Sequence, residues 1–246
     1  MKSFSKIVLV APLALALAAC GSEDDSALVS NEPIAAIPAP EGSSWDQQVV
    51  RTEEGGWLVG NPDAPVKLLE YGSLTCPACA AFSIDGSRTL HEKYIASGVV
   101  SYELRSVMIH GVVDLLLTRV LECAPKEVAV PLADQIWSNI DAVIDPVQAN
   151  EAGMTAAFNL PEDQRFAAMA QAGQIDQFFA ARGLSTDMTQ QCLSDFEAVQ
   201  ALAEKASAAA EEDNVTGTPT FFLNGRLVSG TAWSVVEPAL QQAGAR

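Results

Sequence analysis

The hydrophobic pattern of residues 66–107 predicts a strand, a helix and a second strand. Residues 66–71 (VKLLEY) are apolar enough for a buried strand, and residues 99–107 (VVSYELRSV) are rich in the β-branched and aromatic side chains that favour strands. Between them, residues 79–96 have the spacing of apolar positions that suits an amphipathic helix, with Gly98 as its stop signal. This order of elements predicts a βαβ unit with two parallel strands.

A long helical block is predicted after this unit. From about residue 112 to residue 213 the sequence is rich in alanine and other good helix formers, and no segment has a convincing strand pattern. Proline and glycine residues divide the block into four or five predicted helices. The expected breaks are Pro125, Pro131, Pro146, Gly153, Pro161 and Gly183.

The last 30 residues return to an α/β pattern. In residues 218–230 (TPTFFLNGRLVSG), the dipeptide Asn224-Gly225 lies between two apolar runs, which is the strongest short-range signal for a β-hairpin. A closing helix is predicted from about Ser234. The chain is therefore predicted to fold over residues 45–246 as an α/β domain with an all-helical insertion at about 112–213.

The first 44 residues have a different character. Residues 1–19 carry lysines ahead of an apolar run that is shorter than the ~20 residues needed to span a bilayer, which is typical of a signal peptide. The sequence LAAC that ends at Cys20 resembles the lipobox of bacterial lipoproteins, which implies cleavage before Cys20 and a lipid anchor on its sulfur. An ordinary signal peptide followed by a chance cysteine is the alternative. Residues 21–44 are rich in Ser, Pro, Ala and acidic side chains and are predicted to be a flexible tether.

The charge of the chain excludes one class of partner. Its 246 residues include 31 acidic and 14 basic side chains, a net charge of −17. Residues 1–19 hold two lysines and no acidic residue, so the mature chain would carry −19. A nucleic-acid partner is not expected, because phosphate binding needs a concentrated basic surface. Anionic lipid head groups would also repel this domain, so the anchor alone would hold it at a membrane.

Export changes how the cysteines are interpreted, because disulfides persist outside the cytosol. If Cys20 is acylated, four cysteines remain, and three pairings are possible in principle. The short spacing of Cys76 and Cys79 favours a local pair, which leaves Cys123 and Cys192 to form a structural disulfide within the helical block. By the loop-entropy relation such a bond contributes about 4 kcal/mol. Two buried free thiols at Cys123 and Cys192 are the alternative.

The run Cys76-Pro77-Ala78-Cys79 is the main candidate for chemistry. If Cys76 caps the helix and Pro77 is its first residue, the Cys76 sulfur faces the unpaired amides and positive end of the helix, which favours the thiolate. Such surroundings lower a cysteine pKa and make Cys76 the nucleophile. Cys79, one turn later and less exposed, is suited to resolving a mixed disulfide. A zinc site is disfavoured because the sequence has no second short ligand pair, and an inert disulfide is disfavoured because a CxxC loop strains the bond.

The run LEYGSLTCPACAAFS, with GTPTFFLNGR some 140 positions later, resembles the DsbA-like thiol:disulfide oxidoreductases. The resemblance covers about residues 55–246. It implies a thioredoxin-like fold, in which helices flank a central mixed sheet and a helical domain is inserted between the second and third core strands. It also implies a redox-active Cys76 and Cys79, with no metal and no organic cofactor.

The resemblance carries three further residues. Pro219 matches the cis-proline of thioredoxin folds, where the backbone of the preceding residue, here Thr218, binds an extended substrate chain. An ordinary trans bond is the alternative. Glu70 matches the buried acid of the family, which has a raised pKa and exchanges a proton with the second cysteine. A solvent-facing carboxylate on the strand is the alternative for Glu70.

The direction of the reaction is less defined than the chemistry. The Pro-Ala dipeptide replaces the Pro-His of the family's strongest oxidants, and Thr218 resembles the isomerase and reductase branches. However, residues 21–50 are too few and too polar to form the dimerisation domain of those isomerases, so a monomer is expected. The oxidase direction is slightly favoured, with a reductase or isomerase, a non-catalytic peptide-binding adaptor and a metallochaperone as alternatives.

The expected location and partners follow from the export signal and the chemistry. The protein is predicted to lie in the bacterial periplasm, anchored through Cys20 to the inner or the outer membrane. Its substrates would be exported proteins with thiols or disulfides. Turnover would also require a membrane redox partner, because each exchange changes the oxidation state of the cysteine pair.

Overall fold

The computed structural model describes residues 32–246, in which six strands form one mixed sheet. Its strand order is β1-β2-β4-β3-β5-β6. The strands are β1 (Val49–Arg51), β2 (Trp57–Gly60), β3 (Val66–Gly72), β4 (Val100–Ser106), β5 (Thr220–Leu223) and β6 (Arg226–Leu227). Strands β3 and β4 are parallel, and the other neighbouring strands are antiparallel. The predicted fold class, a mixed sheet flanked by helices, is confirmed.

The predicted βαβ unit positions the cysteine motif. Strand β3 leads to a helix that begins as α1 (Pro77–Phe82) and continues through π-helical turns at Ser83–Ser87 and Leu90–Ile95. The helix begins two residues earlier than the apolar pattern indicates, because Pro77 occupies its first position. Gly86 packs directly below the indole ring of Trp233, where a Cβ atom would clash. This helix, residues 77–95, is called the redox helix below, and Trp233 fixes it against the C-terminal part of the chain.

The helical block lies between β4 and β5, as predicted, but it contains eight helices rather than four or five. They are α2 (Val112–Cys123), α3 (Lys126–Trp137), α4 (Ile140–Ala149), α5 (Glu151–Phe158), α6 (Glu162–Ala172), α7 (Ile175–Ala180), α8 (Thr186–Ser194) and α9 (Phe196–Glu212). Several of them are separated by residues other than proline or glycine. Gln174 is left-handed before α7, and the Asp195 side chain caps α9 through Ala198 N. Conversely, Pro131 and Pro146 lie inside α3 and α4.

The C-terminal part follows the predicted pattern closely. Asn224 and Gly225 both have positive φ angles, and they connect β5 to β6 in a tight hairpin. The Asn224 side chain also accepts a hydrogen bond from Lys67 N at 2.8 Å, which ties the turn to β3. The closing helix, α10 (Trp233–Gln242), then packs on the sheet.

The segment before the sheet differs from the predicted tether. Residues 32–44 were predicted to be flexible, but Ile34 N donates to Gly244 O at 2.9 Å and Ile37 N donates to Ser97 O at 2.8 Å. Trp45 Nε1 donates to Ile37 O, and Ile34 packs against the core. These bonds join the segment to the far end of the redox helix and to the C-terminus. The predicted signal peptide, Cys20 and the rest of the tether lie outside the described residues.

Strands β1 and β2 add an antiparallel edge that the sequence pattern did not indicate. They are three and four residues long, and β2 pairs with β4 more than 40 residues later in the chain. Across residues 32–246, no helix has the length and hydropathy needed to cross a bilayer.

Candidate active site

Cys76 lies where the strand β3 turns into the redox helix. It is the N-cap residue, with extended backbone angles (φ −85°, ψ 121°), and Pro77 is the first residue of α1. Proline suits this position because it has no N–H and its φ angle is already helical. Cys76 and Cys79 are both free thiols. Cys76 is 6% exposed and Cys79 is completely buried, so the first sulfur is less open to solvent than the sequence suggested.

The surroundings of Cys76 favour its thiolate. A hydrogen bond from the Cys79 thiol makes the largest contribution and, with the backbone amides of Ala78 and Cys79 and the side chain of Thr218, lowers the pKa of Cys76 to about 5. Burial acts in the opposite direction but is weaker than these donors together. Cys76 is therefore ionised at neutral pH, which is the state that a nucleophile requires.

Cys79 has the opposite character. Its burial, its hydrogen bond to Cys76 and the nearby Glu70 carboxylate all raise the pKa of the Cys79 thiol above its usual value. The two sulfurs are thus one helical turn apart but differ strongly in acidity. A pair of this kind has one group that is ready to attack or to be attacked and one that holds its proton.

The loop before β5 completes the surroundings of Cys76. The Thr218–Pro219 peptide bond is cis, as the resemblance implied. The Cys76 thiol, when protonated, donates to the Thr218 carbonyl oxygen over a Sγ–O distance of 3.4 Å. Strand β5 brings this loop to the motif because it pairs with β3, with Tyr71 opposite Thr220.

Glu70 lies in the interior, on the face of β3 that points to the core. It is completely buried, and its Oε2 atom accepts a hydrogen bond of 2.7 Å from the hydroxyl of Tyr102 on β4. Its Oε1 atom has no hydrogen-bond partner among the described residues. Burial, helped by the charges of Asp134 and Cys76, raises the pKa of Glu70 to about 8 even though Tyr102 acts in the opposite direction. This position fits the buried acid rather than a solvent-facing carboxylate.

Asp134 on α3 attaches the redox helix to the insertion. Its two carboxylate oxygens accept hydrogen bonds of 2.6 Å from the hydroxyls of Ser83 and Ser87. Asp134 is also one of the charges that act on Glu70. This link could not be inferred from the sequence, because the serines lie about 50 residues from Asp134.

A second network holds the turn before Cys76, and sequence reasoning missed it. The buried carboxylate of Asp114 accepts hydrogen bonds from Ser73 Oγ (2.9 Å), Thr75 N (3.0 Å), Thr75 Oγ1 (2.9 Å) and His110 N (2.9 Å). Thr75 Oγ1 also lies 2.8 Å from His110 Nδ1. Because the hydroxyl proton goes to Asp114, Thr75 accepts a hydrogen bond from the imidazole. The one sequence signal for this network was that two residues with hydroxyl groups, Ser73 and Thr75, come just before Cys76.

The other two cysteines of the domain lie away from this site. Cys123 at the end of α2 and Cys192 in α8 form a disulfide with a Cα–Cα distance of 6.2 Å. Cys20 lies outside the described residues. Within residues 32–246, no group of three or more His, Cys, Asp and Glu side chains is arranged to hold a metal ion.

Comparisons with known proteins match the same region. A family model described as thioredoxin matches residues 52–241. The disulfide bond formation protein D of Bacillus subtilis is 23% identical over 179 residues, which cover 73% of this chain and 72% of that protein. A putative protein-disulfide oxidoreductase of Rickettsia bellii is 20% identical over 196 residues, which cover 78% of this chain and 66% of that protein.

Solved structures agree in fold. A protein-disulfide isomerase from Novosphingobium aromaticivorans is 27% identical and superposes with a TM-score of 0.68 over 77% of this chain and 97% of that structure. The alpha-DsbA1 of Wolbachia pipientis is 21% identical, with a TM-score of 0.59 over 76% of this chain and 90% of that structure, and supports the fold.

These comparisons agree with the geometry around the cysteine motif. The family model spans strands β2 to β6, the redox helix and the whole insertion, and the relatives named above are disulfide-handling proteins. The predicted enzymatic activity is confirmed, so a purely non-catalytic adaptor is not needed to explain the fold. The chain therefore belongs to the thioredoxin family and is a DsbA-like thiol:disulfide oxidoreductase.

Proposed function

We propose that the chain is a periplasmic oxidase that introduces disulfides into exported proteins, with Cys76 as the catalytic nucleophile and Cys79 as the resolving cysteine. The observation that carries this proposal is the contrast between the two sulfurs, one with a pKa of about 5 and one with a raised pKa. A stabilised Cys76 thiolate favours the reduced pair, and a pair that is stable when reduced is a good oxidant.

The reaction begins with a Cys76–Cys79 disulfide. A substrate thiolate attacks the Cys76 sulfur, the bond between Cys76 and Cys79 breaks, and Cys79 leaves as a thiolate. A second substrate thiolate then attacks the substrate sulfur of the mixed disulfide and releases Cys76 as a thiolate. The substrate loses two electrons and gains a disulfide, while the cysteine pair is reduced.

Glu70 would supply the proton that Cys79 needs when it leaves. Its pKa of about 8 keeps the carboxyl protonated at neutral pH, and Glu70 lies close enough to the Cys79 thiol for the two groups to affect each other's ionisation. Cys79 is a poor thiolate in this buried place, so delivery of a proton stabilises the step. In the reverse direction Glu70 would accept the same proton.

Thr218 and Pro219 would bind the substrate chain. The loop lies against Cys76, because the Thr218 carbonyl oxygen is 3.4 Å from the Cys76 sulfur. Backbone groups of Thr218 in this position can hydrogen-bond an extended peptide, as an added strand does at a sheet edge.

The proposed location and partners rest on the N-terminal sequence. The signal peptide and the LAAC sequence support export and a lipid anchor at Cys20, in the inner or the outer membrane. A membrane redox partner would reoxidise the Cys76–Cys79 pair after each cycle. The Cys123–Cys192 disulfide would serve as a structural bond of the insertion, and the protein would act as a monomer without a metal or organic cofactor.

The reductase or isomerase direction is the second candidate. The Pro-Ala dipeptide and Thr218 favour it, and the Novosphingobium structure is named a protein-disulfide isomerase. The two directions differ in the reduction potential that each requires.

Equilibration of the Cys76–Cys79 pair with glutathione buffers tests the direction. An oxidase should have a potential well above the approximately −270 mV of thioredoxin, in the range of about −200 to −120 mV. A parallel alkylation titration should give a midpoint near pH 5 for Cys76. A potential at or below that of thioredoxin would overturn the oxidase direction and leave the reductase.

A further inference from the structure

A long groove crosses the surface of the insertion next to the redox motif. It consists of two adjoining cavities of about 450 and 470 Å³. Both cavities are lined by Val113, Val147 and Gln148, so they form one continuous depression between α2, α4 and α5. We call it the α4 groove, because residues of α4 line both of its parts.

The floor of the α4 groove is apolar and open to solvent. The side chains that form it are Val113, Ile140, Ile144, Val147, Met154 and Phe158. Phe158 is 52% exposed although it is a large aromatic residue. Cavities of this volume with a mainly apolar lining are typical of sites that bind another molecule.

One end of the groove reaches the active site. Thr75 and Pro77, the residues on either side of Cys76, line it together with His110. Thr218 and Pro219, which contact Cys76 from the loop before β5, do not line it. A polypeptide whose cysteine reacts with Cys76 therefore has a second surface available, separate from the loop at Pro219.

The charges around the groove define the chemistry of its occupant. Asp141 and Glu151 line it, and among the described residues the lining includes no lysine or arginine, although the Arg165 guanidinium lies 5.5 Å from the centre of the Phe158 ring at the end far from Cys76. The whole chain has a net charge of −17. An acidic peptide would be repelled here, whereas apolar residues followed by a basic one would complement both the floor and the rim.

We propose that the α4 groove binds an extended, apolar segment with basic residues that belongs to the same substrate chain whose cysteine reacts at Cys76. This inference rests on the proposed function and assigns a substrate class to it. The distance from Ile140 to Val147 along α4 is ~10 Å, which about three residues of extended chain would span. The amide of Gln148 and the hydroxyl of Thr155 can hydrogen-bond the backbone of that segment.

Ile144 and Asp141 are the residues to change. Ile144 lines the groove but is not one of the residues that pack against the core, so its truncation tests binding with little effect on folding. Asp141 is exposed, and Asp141→Lys reverses the charge at the rim. Val128→Ala on α3 is the matched control, because Val128 is a similarly accessible apolar residue that lines neither part of the groove.

Three fluorescent peptides serve as probes in the full domain. They are the apolar KLVLSLVLK, its polar counterpart KSGSSSGSK and the acidic ELVLSLVLE. In all three peptides the central serine replaces the reactive cysteine. Fluorescence anisotropy should give at least fivefold tighter binding of the first peptide than of the second. Ile144→Ala should weaken that binding about fivefold, since part of an isoleucine side chain is no longer buried. Asp141→Lys should shift preference toward the acidic peptide about threefold, and Val128→Ala should change neither value.

A second arm measures exchange with the cysteine versions of the same peptides. The rate at which each peptide reduces the oxidised protein is divided by the rate for 2-mercaptoethanol, and Ile144→Ala should lower this ratio about fivefold for the apolar peptide. Equal binding of the three serine peptides, or binding that neither Ile144→Ala nor Asp141→Lys alters, would overturn the inference. A concentration-dependent dimer in analytical ultracentrifugation that Ile144→Ala disperses would assign the groove to a second copy and overturn it as well. Failure of the proposed function would be seen separately, as an absence of exchange with 2-mercaptoethanol while the serine peptides still bind.

Discussion

The two cysteine pairs of the domain differ in almost every physical respect. Cys76 and Cys79 are three positions apart, are free thiols and lie at a helix start against a buried acid. Cys123 and Cys192 are 69 positions apart and form a disulfide between two helices of the insertion. The same side chain thus has two different roles within one fold.

The surroundings and the loop length account for the difference. Cys76 receives hydrogen bonds that stabilise its thiolate, whereas burial and the hydrogen bond to Cys76 keep a proton on Cys79. Closing a loop of two residues constrains the unfolded chain little, so a Cys76–Cys79 bond can form and break at low cost. Closing a loop of 69 residues constrains it much more, and the second bond therefore suits permanent stabilisation.

The largest effect is expected from Cys76→Ser. A serine hydroxyl is not ionised at neutral pH and cannot form a disulfide, so the rate of thiol:disulfide exchange should fall by at least about a thousandfold. The measurement is oxidation of a reduced, unfolded substrate protein. Cys79→Ser is the matched variant: when it is given a substrate that already has a disulfide, the Cys76 thiolate should attack that bond and the mixed disulfide should accumulate, because no Cys79 is present to attack it. Appreciable exchange by Cys76→Ser would end the assignment of Cys76 as the nucleophile.

The second pair should affect stability rather than exchange. Cys123→Ala combined with Cys192→Ala should lower the free energy of unfolding by about 4 kcal/mol, because the unfolded chain regains the freedom of a 69-residue loop. Urea denaturation monitored by circular dichroism gives this value. The matched control is Cys76→Ala with Cys79→Ala, compared with the oxidised protein. It should lose less than the ~2 kcal/mol that loop entropy gives for so short a loop, because a pair that is stable when reduced has a disulfide that stabilises the fold little. Equal losses in the two double variants would contradict this explanation.

Features set by local sequence could be predicted, and features set by distant partners could not. The helix start at Pro77 and the hairpin at Asn224-Gly225 depend on residues within a few positions, and both were predicted. The role of Thr75 depends on Asp114, 39 positions later, and was missed. The segment around Ile34 has the composition of a tether, and its order could not be predicted because its partner is Gly244 O at the opposite end of the domain.

For Glu70, the buried position could be predicted but the hydrogen-bond partner could not. The resemblance to a known family suggested a buried acid at this position, and the interior location agrees with that suggestion. Its partner Tyr102 lies on the neighbouring strand, and the pairing depends on a strand register in which Tyr102 is opposite Leu68. A period-2 pattern does not specify that register, so the hydrogen bond could not be inferred from the sequence.

The acid beside the first pair should make stability depend on pH. Glu70 has a pKa of about 8 in the folded domain and an ordinary value of 4.5 when unfolded. Between pH 4.5 and pH 8, Glu70 is protonated in the folded state and ionised in the unfolded state, so the folded state binds one more proton. The stability that this proton contributes is fully present below pH 4.5 and is lost as the pH rises through 8. Glu70→Gln removes this dependence, and it should be more stable than the original chain above pH 8 by about 4 kcal/mol relative to the difference at pH 4. Urea denaturation at a series of pH values measures it.

Tyr102→Phe sharpens the same test. The Tyr102 hydroxyl is the one hydrogen-bond donor to Glu70 among the described residues, and it lowers the pKa of that acid. Without it, the pKa of Glu70 should rise further, and the loss of stability should extend above pH 8. A pH profile that is the same in the original chain and in Glu70→Gln would refute the role of Glu70.

The smallest effect is expected from Thr75→Val. This variant tests whether the turn before Cys76 affects only the stability of the fold or also the pKa of the Cys76 thiol. Valine has nearly the same shape as threonine but loses the hydrogen bonds of Oγ1 with Asp114 and His110, so the free energy of unfolding should fall by about 1 kcal/mol. The groups that lower the pKa of Cys76 belong to Cys79, Ala78 and Thr218, and none of them is changed.

The alkylation midpoint of Cys76 in Thr75→Val should therefore stay near pH 5 while stability falls. Iodoacetamide labelling across pH 4–8, followed by mass spectrometry, gives the midpoint, and denaturation of the same samples gives the stability. If the midpoint instead moved toward the ordinary cysteine value, the turn at Thr75 would be needed to aim the Cys76 sulfur at its donors. The acidity of the first pair would then depend on the insertion, since Asp114 and His110, which hold that turn, lie beyond the sheet and at the start of the helical block.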